Sequence, residues 1–280
     1  MSAADRDTKV VKINGKQIFL DVNDDAGKDA PALFFLHGLG SNTSFWEATL
    51  SDTTLSKTYR LVRYDFDGHG LSPASTLAFA SGGGLLTIDD LVEDLGAVMD
   101  YVGVQKAAGV VGHSMSGLVA STFAARNPER LEKLILLGAM RAPSPAVQTT
   151  MLKRATTVRT AGLSAVVNTV VSSALSKKTK ETSPLSAALV RSLVLAATPA
   201  GYAAACHALA GAGNPDYQAI KAQTLIVHGS EDYMSNQETA DALEQSISGA
   251  KRVVMDEVGH WHAVEAPLEL RKIFEDFFLA

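Results

Sequence analysis

Apolar positions along the chain fall into two periods. Val10-Val11-Lys12-Ile13 and Gln17-Ile18-Phe19-Leu20 flank Asn14-Gly15. That dipeptide favours positive φ in a tight turn, so the spacing predicts an antiparallel hairpin. Short apolar runs follow at Ala32–Leu36, Leu61–Tyr64, Ala108–Val111, Leu134–Leu137, Leu225–Val227 and Val253–Met255, each with the length and character of a buried strand. Helix-period segments separate most of them. The clearest begins at Thr87-Ile88-Asp89-Asp90, a capping box with Asp in place of Glu, after which Leu91, Leu95, Val98 and Met99 recur at helical spacing. A hairpin followed by strand–helix alternation predicts a mostly parallel eight-stranded sheet with helices on both faces.

The alternation stops after the sixth strand. From Pro143 to Gly213 the chain reads as helices rich in Ala, Leu, Val, Thr and Ser, broken at Gly162, Pro184 and Pro199-Ala200-Gly201, and the strand pattern resumes at Thr224. The expectation is a core of residues 1–142 and 214–280 with a helical cap, 143–213, over one end of the sheet. No internal repeat is present. Gly82-Gly83-Gly84 reads as a flexible loop; a phosphate-binding turn is excluded because no strand precedes it and no Lys-Ser/Thr follows.

Composition narrows the class. At 280 residues, 46% hydrophobic and 20% charged, the chain is an ordinary globular protein with a sizeable core. A net charge of −5, with no Lys/Arg run, excludes nucleic acid as the main partner. Cys206 is the single cysteine, so no internal disulfide forms and a reducing compartment fits. The start, Met1 to Asp7, is polar and mixed in charge, and no apolar run approaches the ~20 residues that cross a bilayer. A cytoplasmic protein without membrane contact is the expectation, and nothing in the sequence specifies an oligomeric state.

The chemistry sits at strand ends. Ala108-Gly109-Val110-Val111-Gly112-His113-Ser114-Met115-Ser116-Gly117 reads as a strand, a sharp turn and a helix opening at Leu118. This resembles the nucleophile elbow G-x-S-x-G, in which a strained serine is crowded by residues two before and two after it. Gly112 and Ser116 fill those places; Ser116 departs from the strict pattern but is small. The turn would present Ser114 Oγ above the sheet and aim the Met115 N–H at the same point, half of an oxyanion hole. In this fold the other half comes from the loop after an earlier strand. Leu33-Phe34-Phe35-Leu36-His37-Gly38-Leu39-Gly40 supplies it, with Leu39 N–H as donor and His37 stabilising the loop.

Two further strand ends complete the set. Thr224–His228 runs into Gly229-Ser230-Glu231-Asp232, where Asp232 is the candidate to orient a histidine and Glu231 the fallback. The loop after the preceding strand, Gly138-Ala139-Met140-Arg141, has no carboxylate. Arg252–Met255 leads to Asp256-Glu257-Val258-Gly259-His260-Trp261-His262, where His260 lies in the loop and His262 at a helix start. His260 is therefore the candidate base. The order Ser114, Asp232, His260 is the one this fold uses. His69, in a glycine-bracketed loop, reads as structural, while His207 sits on a cap helix where it either touches substrate or packs. No Cys/His/Asp cluster has metal-ligand spacing, so neither a metal nor a cofactor is expected.

These residues resemble the α/β-hydrolase superfamily over nearly the whole chain, and within it the 3-oxoadipate enol-lactonases. The likeness is strongest in Thr87–Leu95, in Ala124-Ala125-Arg126-Asn127-Pro128-Glu129-Arg130-Leu131, at Arg154…Val158-Arg159…Gly162, and from Ala197 to Cys206. Three departures stand out: Asp67 where that family has Arg, Met151 where it has a cap Trp, and Ser173–Lys178 where it has a Trp-Phe segment. The resemblance implies a serine hydrolase acting on an ester or lactone of a small molecule through an acyl-enzyme. If the substrate carries the family's free carboxylate, Arg154 is the candidate partner, since its planar fork binds a carboxylate with two hydrogen bonds. It is equally readable as an exposed helix arginine. Tyr202 and Trp261 are further candidate substrate contacts. Alternatives are a carboxylesterase with another small substrate, a C–C hydrolase or perhydrolase using the same triad, and a slow-turnover ligand receptor like the plant strigolactone and karrikin receptors. Dehalogenases and epoxide hydrolases of this fold need Asp at position 114.

Overall fold

A computed structural model describes residues 6–76 and 85–280; the Gly82–Gly84 loop lies outside them. Eight strands form one sheet: β1 (Arg6–Ile13), β2 (Lys16–Asn23), β3 (Ala32–Leu36), β4 (Arg60–Tyr64), β5 (Ala107–His113), β6 (Leu131–Leu137), β7 (Gln223–Gly229) and β8 (Lys251–Met255). Their order across the sheet is β1-β2-β4-β3-β5-β6-β7-β8. β1 pairs antiparallel with β2, and β2 with β4; every pair from β4 to β8 is parallel. The hairpin between β1 and β2 turns at Asn14 (φ 48°) and Gly15 (φ 78°), the two positive angles that a two-residue loop of this type needs.

β5 lies at the centre, between β3 and β6, and is buried along its whole length. A strand covered on both faces reads as a continuous apolar run rather than an alternation. The two faces feed two cores. Phe34, Leu36, Val110, Leu134 and Leu136 pack on one side with the helices α1 (Ile88–Tyr101) and α2 (Met115–Arg126). Phe35, Val111, Ile135 and Leu137 pack on the other with Phe274 and Phe278 of the C-terminal helix Pro267–Phe278. α1 starts as its sequence predicts: Asp90 N–H donates to Thr87 Oγ1, and Thr87 N–H donates back to Asp90 Oδ2.

Between β6 and β7 the chain is helical: α3 (Pro145–Ala161), α4 (Val167–Ala174), α5 (Lys177–Thr182), α6 (Pro184–Leu195) and α7 (Pro199–Ala210). Three of these begin with a Ser/Thr-Pro pair. Ser144, Ser183 and Thr198 each accept a backbone N–H of the first turn, and the following proline has no N–H to leave unpaired. α3 ends at Gly162 with φ 75°. A further break after Ala174, where Ser176 caps α5, carries no Gly or Pro and gave no sign in the periodicity. α7 rests on the β4–α1 connection, where Thr198 N–H and Oγ1 both donate to Gly68 O at 2.7 and 3.1 Å. Among the described residues no single helix is long and apolar enough to cross a membrane.

Candidate active site

β5 runs straight into α2 through Ser114, which has φ 56° and ψ −120°. A non-glycine residue in that region stores ~1–3 kcal/mol of strain, tolerated only where neighbours over-determine it. Here they do. Ser114 N–H donates to Leu137 O at 3.0 Å, and Ser114 O accepts from Gly117 N–H and Met140 N–H at 2.9 and 3.1 Å. The turn is so tight that a Cβ on Gly112 would lie 2.5 Å from Ser116 O, closer than any real Cβ approaches. Ser116 is more than small enough for its place. Its hydroxyl lies 2.8 Å from both Leu36 O and His113 O, tying the elbow to the end of β3.

The structure brings Ser114, His260 and Asp232 into one hydrogen-bonded chain. His260 Nε2 lies 2.8 Å from Ser114 Oγ, and His260 Nδ1 lies 2.8 Å from Asp232 Oδ2. All three side chains are buried. The other carboxylate oxygen of Asp232 accepts from the Met234 and Ser235 N–H groups, each at 2.9 Å. Burial pushes the Asp232 carboxyl up, but His260, His262 and the Ser235 amide together outweigh it and hold the group down at about 2. Asp232 is therefore ionised near neutrality and fixes the Nδ1–H tautomer of His260, leaving Nε2 to accept the serine proton. Glu231 points elsewhere: its Oε2 accepts the Lys177 N–H at 2.7 Å.

The remaining site elements converge on Ser114. A Cβ placed on Gly38 would come within 2.9 Å of Ser114 Cβ, so the loop bearing Leu39 packs directly against the elbow. The Leu39 and Met115 amides have no acceptor among the described residues, as donors kept for an oxyanion require. His37 is fully buried below this loop, with Nδ1 on Gly38 O and Nε2 accepting Phe66 N–H. Burial lowers it to about 3, with His69 adding to the effect, so it stays neutral. His69 is likewise buried, with Nδ1 on Asp67 O. Asp67 is buried too, and accepts from Ser75 N–H and Oγ at 2.7 and 2.6 Å.

Above Ser114 and His260 lies a cavity of about 270 Å³, and Arg154, Tyr202 and Trp261 all line it. Leu39 and Met151 line it as well, with Met140, Val147, Val170, Tyr233 and Met234, which the sequence reading did not single out. Met140 and Met234 follow β6 and β7, strand ends that the topology alone marks as facing the site. Arg154 is half-buried and also borders a smaller outer pocket with Lys153 and Thr157. His207 faces a different cleft, beside Thr87 and Arg126. Glu265, which carries no signal in the sequence beyond that of an ordinary helix acid, also supports the site. Its carboxylate accepts from Ser176, Gly259 and Trp261 N–H groups at 2.8, 3.2 and 3.1 Å, so it joins the His260 loop to the start of α5. Among the described residues no group of three or more His, Cys, Asp or Glu could hold a metal ion.

A strained serine at a central strand–helix elbow, with a carboxylate-oriented histidine brought from past the last strand, is the arrangement of one fold family. The family model described as the alpha/beta hydrolase fold matches residues 31–267, and the chain belongs to that family. Among curated proteins it is similar to 3-oxoadipate enol-lactonase 2 of Acinetobacter baylyi, 29% identical over 240 residues covering 85% of each chain. It is 26% identical over 271 residues to 2-hydroxymuconate semialdehyde hydrolase of Pseudomonas putida, covering 90% of this chain and 88% of that one. Among solved structures, the enol-lactonase from Burkholderia xenovorans superposes with a TM-score of 0.87 at 27% identity, covering 97% of this chain and 100% of the other.

Proposed function

We propose that this protein is a serine hydrolase that opens an ester or lactone of a small molecule through an acyl-enzyme on Ser114. The observation that carries the reading is the unbroken chain Asp232–His260–Ser114, with 2.8 Å at each link. His260 Nε2 takes the Ser114 proton as Oγ attacks the carbonyl carbon. The resulting oxyanion is held by the Leu39 and Met115 N–H groups, each worth about 2.7–4 kcal/mol by analogy with a measured donor. His260 then returns the proton to the leaving oxygen. In a lactone that oxygen stays tethered to the acyl group. Water, deprotonated by the same histidine, next attacks the acyl carbon; Ser114 leaves with the proton and the acid is released. Asp232 stabilises the imidazolium in both halves.

For the substrate we favour a lactone bearing a free carboxylate. The similarity to two enol-lactonases supports this. So does the charge of the helices between β6 and β7, which carry Lys153, Arg154, Arg159, Lys177, Lys178, Lys180 and Arg191 against the single acid Glu181. Arg154, at the cavity wall, is the residue proposed to meet the carboxylate. Segment 143–213 is then the cap that selects the substrate, and the cytoplasm the location that a lone buried cysteine suits. A second reading, a neutral ester, is favoured by Met140, Met151 and Met234 in the lining. Steady-state kinetics on a panel of small lactones and aryl esters, with and without a carboxylate, tests both readings. Fast turnover of an acidic lactone is expected. Uniformly slow turnover with tight binding would instead indicate a receptor.

A further inference from the structure

The main chain of His260 is held from both sides. Its N–H donates to Ala174 O at 2.8 Å. Its carbonyl accepts from two imidazoles, His113 Nε2 at 2.8 Å and His262 Nδ1 at 2.9 Å. A carbonyl only accepts, so each ring must present an N–H there: His113 is the Nε2–H tautomer and His262 the Nδ1–H tautomer. The other nitrogens, His113 Nδ1 and His262 Nε2, are buried without a partner among the described residues. Each such group costs about 1–3 kcal/mol. One imidazole would already satisfy the carbonyl, so satisfying it does not account for two.

We propose that His113 and His262 are positioning residues for the reaction at Ser114. By filling both lone pairs of the His260 carbonyl they fix the peptide from which the His260 ring projects. His113 directly precedes Ser114, so its hydrogen bond ties the elbow to the loop that carries the base. Its ring stacks on Phe45, with centroids 4.5 Å apart and planes 25° from parallel, a contact that favours this one orientation. His262 lies beside the acid: a Cβ on Gly138 would lie 2.6 Å from His262 Cε1 and 2.9 Å from Asp232 Oδ2. Burial, its largest cause, lowers His262 to about 4 and takes His113 well below its ordinary value. Both rings therefore stay neutral and add no second cation beside the imidazolium that forms on His260. The inference rests on the catalytic reading of Ser114, His260 and Asp232.

The test uses side-chain amides as tautomer mimics. The amide nitrogen of Asn falls near the place of a histidine Nδ1, and that of Gln near Nε2. His262→Asn and His113→Gln thus keep the donor, whereas His262→Gln and His113→Asn carry it at the wrong reach. The first pair should retain kcat within about threefold, and the second pair should lose tenfold to about a hundredfold, with KM moving less than about threefold. His113→Leu and His262→Leu should behave as the second pair; if either fails to fold, the Asn/Gln comparison still decides. Equal kcat for the Asn and Gln variants at both positions would overturn the proposal, as would KM moving in step with kcat. Ser114→Ala is measured alongside. If it keeps full turnover, the catalytic reading itself is wrong; if it abolishes turnover while Asn and Gln show no ordering, only the positioning role fails.

Discussion

Acidification should destabilise this protein as pH falls below about 6.5, because several imidazoles are buried neutral. Burial lowers His37 to about 3 and His262 to about 4, from an ordinary value of 6.5. In the folded chain they stay uncharged, while in the unfolded chain they take up protons below pH 6.5. The unfolded state therefore binds more protons, and stability falls as pH drops through 6.5, levelling only near 4 for His262 and near 3 for His37. Each contributes a slope of about 1.4 kcal/mol per pH unit, so together they remove roughly 4 kcal/mol by pH 5, against ~5–15 kcal/mol for a typical domain. His69, His113 and His228 are also lowered, mainly by burial, and act in the same direction. Asp65 and Asp94, raised by burial, oppose the trend. Urea titrations at about pH 7.5 and about pH 5 measure the difference directly. His262→Asn should reduce the loss at pH 5 by about 2 kcal/mol. Equal stability at the two pH values would show that the fold does not hold these imidazoles neutral.

Three further outcomes follow from the site. Asp232→Asn should lower kcat by roughly 10⁴, the loss seen when a triad acid of this kind is neutralised, while Glu231→Gln, whose carboxylate caps α5 instead, should leave kcat within about threefold; the reverse pattern would move the acid by one residue. If Arg154 meets a substrate carboxylate, Arg154→Met should raise KM for acidic lactones by roughly tenfold to a hundredfold, equivalent to ~1.5–3 kcal/mol, and leave neutral aryl esters nearly unchanged. Equal, small effects on both would assign a neutral substrate. Exchanging segment 143–213 for the helical insertion of another α/β hydrolase should change which substrates are turned over while serine labelling persists; an unchanged profile in a folded chimera would argue against substrate selection by this segment.

Much of this architecture could be read in the sequence because its signals are local. Asn14-Gly15, the Thr87 capping box, the breaks at Pro184 and Pro199 and the glycine-crowded elbow each fix backbone geometry within a few residues. Chain order then brought Ser114, Asp232 and His260 together, since every one follows a strand that the parallel sheet points the same way. What stayed hidden depends on contacts distant in sequence. The two imidazoles on the His260 carbonyl come from β5 and from beyond β8, and no spacing relates them. Glu265 reads as an ordinary helix acid until the fold brings Ser176 beside it. The break at Leu175-Ser176 has only a serine cap to mark it, weak punctuation beside proline or glycine. Ser116 was expected merely to be small. Its hydroxyl, shared between two strand-end carbonyls, becomes visible only when β3 and β5 lie side by side.

In the proposed mechanism Ser114 Oγ is the atom acylated during turnover. Intact-protein and peptide mass spectrometry after treatment with a fluorophosphonate measures it most directly. One adduct per chain is expected, mapped to Ser114, absent from Ser114→Ala and formed at least roughly a hundredfold more slowly in His260→Ala. An adduct on another residue, or undiminished labelling of Ser114→Ala, would contradict it.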